Sequence, residues 1–221
     1  MPRLARVVVQ GIPHHITQRG NRNQPVFFSE DDKKEYLRLV STHAKRHGVQ
    51  IWAYCLMTNH VHFIAVPDSE KSLTATFQEA HRLYTRRINF REGWRGYLWQ
   101  GRFASFPMDE EYLIAAVRYV EQNPVKAKLV SNAWDYPWSS AKAHCKLHED
   151  ALLTPFFLEK EIANWKSFLT LEDRSNIDKR IESSIRTGRP LGSKEFIEGL
   201  EICLNRFLRK NKPGRKPVTV N

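Results

Sequence analysis

The sequence predicts an α+β fold, a ferredoxin-like split βαβ sandwich with an antiparallel sheet, followed by a helical C-terminal extension. Three observations carry that expectation. Strand and helix patterns succeed one another in the order strand–helix–strand–strand–helix–strand up to Met108. Two of the strand patterns are separated only by a tight turn, the mark of an antiparallel hairpin. After about Val130 no convincing strand pattern recurs.

Alternation through HHITQRGN gives a first strand over Pro13 to Gly20, with GNRNQP as the loop behind it. FSEDDKKEYLRLVSTHAKRHG reads as a helix. Ser29 and Asp32 form a capping-box pair, Tyr36, Leu39, Val40 and Ala44 make the inner stripe, and Gly48 ends it. VQIWAYCLM and HVHFIAVP follow as a hairpin turning at Thr58-Asn59. In the next helix Leu73, Phe77, Ala80, Tyr84 and Ile88 recur three or four apart, and LWQGRFASFPM gives the fourth strand. Asp109-Glu110-Glu111 opens a third helix, expected to end near Pro124 because proline disfavours helical geometry in the residue before it. In the extension, Ser193 caps a helix carrying Phe196, Ile197, Leu200, Cys203, Leu204 and Phe207. The expected domain boundaries are 1–130 for the main domain, 131–149 for a linker, 150–208 for the helical extension and 209–221 for a basic mobile tail.

Composition narrows the function classes. Hydrophobic residues make up 41%, enough for a packed core. Lys and Arg number 35 against 24 Asp and Glu, a net charge of +11, which favours a polyanionic partner, nucleic acid first. No apolar run approaches a membrane span, and the N-terminal one is too short for a signal peptide. Cys55, Cys145 and Cys203 are widely spaced with no C-x-x-C pair, which argues against a disulfide framework or cysteine-rich zinc site and for a reducing cytoplasm.

The hairpin carries the chemistry. His60 and His62 in NHVHFI stand at i and i+2, on one face of a strand roughly 7 Å apart, so both imidazoles can converge on one ion. Taken alone, the pair better suits a solvated sheet face, each ring bonded to backbone or water. His43/His47 and His144/His148 also have ligand spacing but sit among charged residues, and of the adjacent His14 and His15 at most one can reach any given site. Tyr119 and Asn123 are four apart on one helical face. A phenol can attack phosphorus when a cation neutralises the phosphate, and a carboxamide oxygen can join two imidazoles around a metal, although a helical tyrosine usually packs and an Asn before Pro usually caps. Gln122 would replace Asn123 if the helix register shifted.

NHVHFI, followed by WQGRF and YVEQNPVKAKLV, resembles the single-tyrosine HUH transposases, where U is a hydrophobic residue. More narrowly, the region from Met1 to Ala141, including ITQRGNRNQPVF and CLMTNHVHFIAVP, is similar to the REP-associated tyrosine transposases. The resemblance implies that Tyr119 is the nucleophile and that His60, His62 and Asn123 are the metal ligands. The last position is often glutamine in the wider group. It further implies a divalent ion, Mg²⁺ or Mn²⁺, and a covalent 5′-phosphotyrosine intermediate. The implied partner is single-stranded DNA carrying hairpins of palindromic repeats, with monomer or homodimer undecided.

Arg19, Arg22, Arg82, Arg86, Arg87, Arg91 and Arg102 are candidate phosphate contacts, with Arg189, Arg215 and Lys216 in the extension. TGRPLGSKEFIEGLEICLNRF suits the turn and second helix of a helix-turn-helix unit, or equally a helical cap on the main domain. Two rival functions are a non-catalytic nucleic-acid-binding sheet presenting Trp52, Tyr54 and Phe63, and a metal-dependent nuclease that uses water.

Overall fold

The computed structural model describes residues 6–171 and 176–209. The first helix, α1 (Glu30–Arg46), starts at the expected capping box. Ser29 Oγ accepts from the Asp32 N–H, and the Asp32 carboxylate accepts from the Ser29 N–H. Its predicted stripe is buried, and Gly48 then turns the chain with φ of +62°. A Cβ at Gly48 would also meet the end of the exposed Asp68 side chain, which can swing away, so it is the left-handed backbone that favours glycine here.

Four strands follow the predicted order: β1 (His14–Arg19), β2 (Val49–Leu56), β3 (His60–Pro67) and β4 (Ala104–Pro107). They lie as β2-β3-β1-β4, with every neighbouring pair antiparallel, which is the ferredoxin-like arrangement. β4 is shorter than its sequence pattern: it pairs with β1 only from His14–Pro107 to Thr17–Ala104, and Trp99 beyond it makes an isolated bridge to Gly20. Helix α2 (Ser72–Glu92) joins α1 on one face of the sheet. Leu73, Phe77, Ala80, Tyr84 and Ile88 are fully buried there with Ile16, Val61 and Phe63. Truncating a ring such as Phe77 in that layer costs about 3–5 kcal/mol.

Helix α3 (Glu110–Lys126) covers the other face, packing on Ile64 and Phe106. Asp109 Oδ1 accepts from the Tyr112 N–H and starts it. The helix does not stop before Pro124 but runs to Lys126. The Asn123 side chain compensates for the missing proline N–H, because its Nδ2 donates to the Tyr119 carbonyl at 2.8 Å and to the Val120 carbonyl at 3.3 Å.

The later segments share this second layer. Ala133, Tyr136 and Ala141 are buried in one cluster with α3, Ile64 and Phe106, so residues 131–149, expected as a linker, lie against the sheet. The Tyr136 hydroxyl donates to the Leu56 carbonyl, and the Tyr54 N–H donates to Ser140 Oγ. Short helices α4 (Ala141–His144), α5 (Leu158–Glu161) and α6 (Trp165–Thr170) lead to α7 (Ile177–Thr187) and α8 (Lys194–Leu204). Phe156, Leu158, Trp165, Phe168, Leu169 and Ile181 from this stretch belong to the α3 cluster. Ser193 caps α8 as expected, but the predicted stripe is only partly inward. Leu200 is buried beside Val7 and Leu208, whereas Cys203 is exposed, and Phe207 lies beyond the helix end at Asn205 and is exposed too. Among the described residues, no helix is long and apolar enough to cross a membrane.

Candidate active site

The antiparallel register and the packing of α3 over β1 and β3 bring the predicted residues together. His60 and His62 share a face of β3, with ring centroids 5.0 Å apart and planes at 85°. The Tyr119 ring lies over them from α3, 5.8 Å from the His62 ring and edge-on to it. His60, His62, Tyr119 and Asn123 line one cavity of about 580 Å³, together with Arg19 at its rim. Gln122 is not there: its Nε2 donates to the Leu169 carbonyl, so the helix register selects Asn123.

Burial sets the protonation states. It lowers the His60 pKa to about 4, helped by the Arg19 charge, and lowers that of His62 well below the ordinary value, helped by His15 and His60. Both imidazoles are therefore neutral near pH 7, the form that binds a metal. Burial raises the Tyr119 pKa to about 12. The carboxylates of Glu182 and Asp178 push it further up, and Arg19 acts the other way.

The donor set fits a divalent ion. The Asn59 Oδ1 lies 2.6 Å from His60 Nδ1 and accepts from it, which leaves the lone pair on Nε2. His62 Nδ1 lies 2.8 Å from His15 Nε2, so the same tautomer is available to His62. Since Asn123 Nδ2 faces backbone carbonyls, its Oδ1 is the atom left for a ligand. Among the described residues, no three His, Cys, Asp or Glu side chains gather around one point, so a neutral oxygen is the available third donor.

A sequence profile described as transposase IS200 like matches residues 8–123, more than half of the chain and the span that holds Arg19, His60, His62, Tyr119 and Asn123. The chain belongs to the IS200-like transposase family. Among solved structures, it is similar to a REP-associated tyrosine transposase bound to a REP hairpin, at 17% identity and a TM-score of 0.53, over 71% of this chain and 99% of that one. A Deinococcus radiodurans protein described as a "putative transposase" matches at 19% identity with a TM-score of 0.37, over 55% of this chain and 97% of that one. No curated protein sequence matches the chain.

Groups not singled out from the sequence include His15, which backs His62, and, lining this transposase's cavity, the pair Glu182 and Arg186. The last two project from α7 in the extension, and no local pattern ties that helix to the hairpin. The other histidine pairs do different work. His43 and His47 stack on each other, and His144 bonds to buried Glu121.

The arginine candidates divide by environment. Arg19 Nη1 donates to Asn23 Oδ1, and Arg22 stands exposed in the following turn with φ of +53°. Arg86 and Arg87 are exposed on α2, Arg82 pairs there with Glu79, and Arg102 is exposed just before β4. Arg91 is held by the buried Asp32 and by Glu92. Arg189 is half-buried and donates to the Leu208 carbonyl. Arg215 and Lys216 lie outside the described residues.

Proposed function

We propose that this transposase cuts and rejoins single-stranded DNA at palindromic, REP-type repeats through a covalent bond to Tyr119. The observation that carries this reading is the convergence of one tyrosine, two neutral imidazoles and one carboxamide oxygen on a single cavity rimmed by Arg19. The hairpin bound to the solved structure described above supports the choice of DNA class.

His60, His62 and Asn123 would hold Mg²⁺ or Mn²⁺. The bound ion would supply charge neutralisation at the scissile phosphate. The chain's own groups do the rest. Arg19 attracts the phosphate to the cavity, and α3 holds the phenol beside His62. The Tyr119 oxygen attacks phosphorus in line, the O3′–P bond breaks, and a 5′-phosphotyrosine forms with a free 3′-OH. The phenol proton passes to solvent, from which the leaving oxygen takes one. Attack by another 3′-OH reverses the step and joins strands without a nucleotide triphosphate, since the phosphodiester keeps the bond energy.

In this reading residues 1–130 form the catalytic domain, and the extension closes one side of its cavity through α7. The protein would act in the cytoplasm on nucleoid DNA. The test is incubation with a hairpin oligonucleotide and Mn²⁺ or Mg²⁺, followed by a search for an SDS-resistant adduct. Tyr119→Phe abolishes the adduct and retains DNA binding. Cleavage without adduct in that variant would establish water as nucleophile, and binding without cleavage in the wild type would leave a binding module.

A further inference from the structure

A second cavity, of about 670 Å³, opens on the reverse face of the sheet and shares one lining residue, Gln18, with the first. Its walls are aromatic: His81, Trp99 and Phe103, with Tyr97 at the mouth and 85% exposed. Its rim is cationic, with Arg6, Arg82 and Arg102. The Arg6 guanidinium lies 3.6 Å from the Phe103 ring centroid, and Arg82 pairs with the half-buried Glu79. The size lies within the range of about 300–1,000 Å³ typical of small-ligand sites.

The two cavities meet at Gln18, which lines both. Gln18 alternates with Thr17 and Arg19 along β1, so its side chain turns to the α2 face while theirs face Tyr119. The loop into β4 also contributes to both: Gln100 and Ala104 line the first cavity, and Gly101, Arg102 and Phe103 between them line the second. The Gln18 amide donates to the Gly101 carbonyl at 2.9 Å and pins this shared rim. A chain crossing it passes from one face of the sheet to the other around the short β4 edge.

An apolar slot with aromatic walls and a cationic rim matches one kind of occupant. A nucleobase presents a flat apolar face and is flanked by phosphates. We propose that this cavity takes an unpaired nucleobase of the strand whose phosphate lies against Tyr119. The strand wraps the β4 edge and buries that base on the α2 side, between Tyr97 and the aromatic wall. The inference rests on the single-strand reading of the first cavity, and it adds a residue-level account of how the flanking strand is gripped.

The test measures binding of the full chain, by fluorescence anisotropy, to a labelled DNA hairpin with single-stranded flanks. Each flank nucleotide is replaced in turn by an abasic one. One position should weaken binding roughly five- to a hundredfold, the effect of losing one stacked base. That penalty should vanish in Tyr97→Ala, an exposed site where the fold is indifferent, and in Thr85→Trp, which fills the cavity from α2. Wild-type binding that is insensitive to every abasic position, or a penalty kept in both variants, would overturn the pocket while leaving the proposed function intact. Flanked hairpins bound no better than blunt ones would overturn the single-strand reading itself, and this inference with it.

Discussion

His15 Nε2 and His62 Nδ1 lie 2.8 Å apart on the buried face of the sheet, with a single proton between them. Burial lowers the His15 pKa to about 3, so both rings are neutral and the proton belongs to one or the other. If His62 Nδ1 holds it and donates to His15, His62 Nε2 keeps its lone pair for a metal. If His15 holds it, His62 Nε2 carries a hydrogen and binds nothing. A bound ion therefore selects the first arrangement, in which His15 Nδ1–H is buried with no partner.

His15→Ala should weaken Mn²⁺ binding about 10- to 100-fold, the usual effect of losing a ligand's hydrogen-bond partner. Isothermal titration or Mn²⁺ electron paramagnetic resonance would read it without any DNA. His15→Gln, which restores an acceptor, should recover part of the loss. His43→Ala should leave Mn²⁺ affinity unchanged, because His43 stacks on His47 and has no place at the cavity. Equal losses in His15→Ala and His43→Ala would remove the special role of this contact.

Asn123 has two ends with two tasks, and substitutions separate them. Asn123→Asp keeps an oxygen for the ion and adds charge, but loses the donor to the Tyr119 and Val120 carbonyls. It should cost about 1–2 kcal/mol of stability in urea unfolding, while Mn²⁺ affinity holds or rises. Asn123→Ala should lose both. An Asn123→Asp variant as stable as the wild type would show that these carbonyls do not need the side chain.

Most of the ferredoxin-like half was legible because its signals are local. The Ser29–Asp32 box, the α2 stripe and the i, i+2 histidines each need only a few neighbouring residues to be read. What escaped was set by long-range packing. His15 meets His62 across the β1–β3 pairing, where Thr17 is the residue directly opposite His62. Glu182 and Arg186 reach the cavity only because α7 packs on α3 and β4. The turn content of 131–149 suggested a linker, yet the Trp and Tyr residues in that same stretch supply apolar area that the sheet buries. Pro124 misled about the helix end, since the compensating donor comes from a side chain rather than from the backbone.

The arginines of α2 should respond in two different ways. Arg86 and Arg87 are exposed, so their replacement by Ala should weaken hairpin binding, reduce the dependence of log Kd on log salt by about 0.7 each, and leave stability unchanged. Arg91 Nη1 instead lies 2.5 Å from Asp32 Oδ1, and the Asp32 side chain has no exposure. Arg91→Ala strands that carboxylate and should cost about 1–3 kcal/mol, less than for a fully buried pair because Arg91 itself reaches solvent. Salt titrations paired with urea melts distinguish the two classes.

The tie between α3 and the extension is an ionic one and should make stability depend on pH. Glu121, fully buried two residues before Asn123, accepts from His144 Nδ1 at 2.6 Å, from Ser140 Oγ at 2.5 Å and from Trp165 Nε1 at 2.8 Å. Desolvation opposes the charged imidazolium, but the Glu121 carboxylate outweighs it, and the His144 pKa is raised. A raised folded-state pKa means that the pair stabilises fully below the unfolded value near 6.5. The contribution is lost as pH rises through the folded value. Unfolding free energy should thus fall as pH rises above about 6.5 in the wild type and stay flatter in His144→Gln. Glu121→Gln should cost about 3–5 kcal/mol, because it removes the charge that pairs with His144 and sets an N–H2 donor against one of the donors Glu121 now accepts from. It should also lower the yield of DNA adduct, since α6 and α7 pack on the helix that carries Tyr119. A pH-independent stability in the wild type would mean that His144 stays neutral and the tie is an ordinary hydrogen bond.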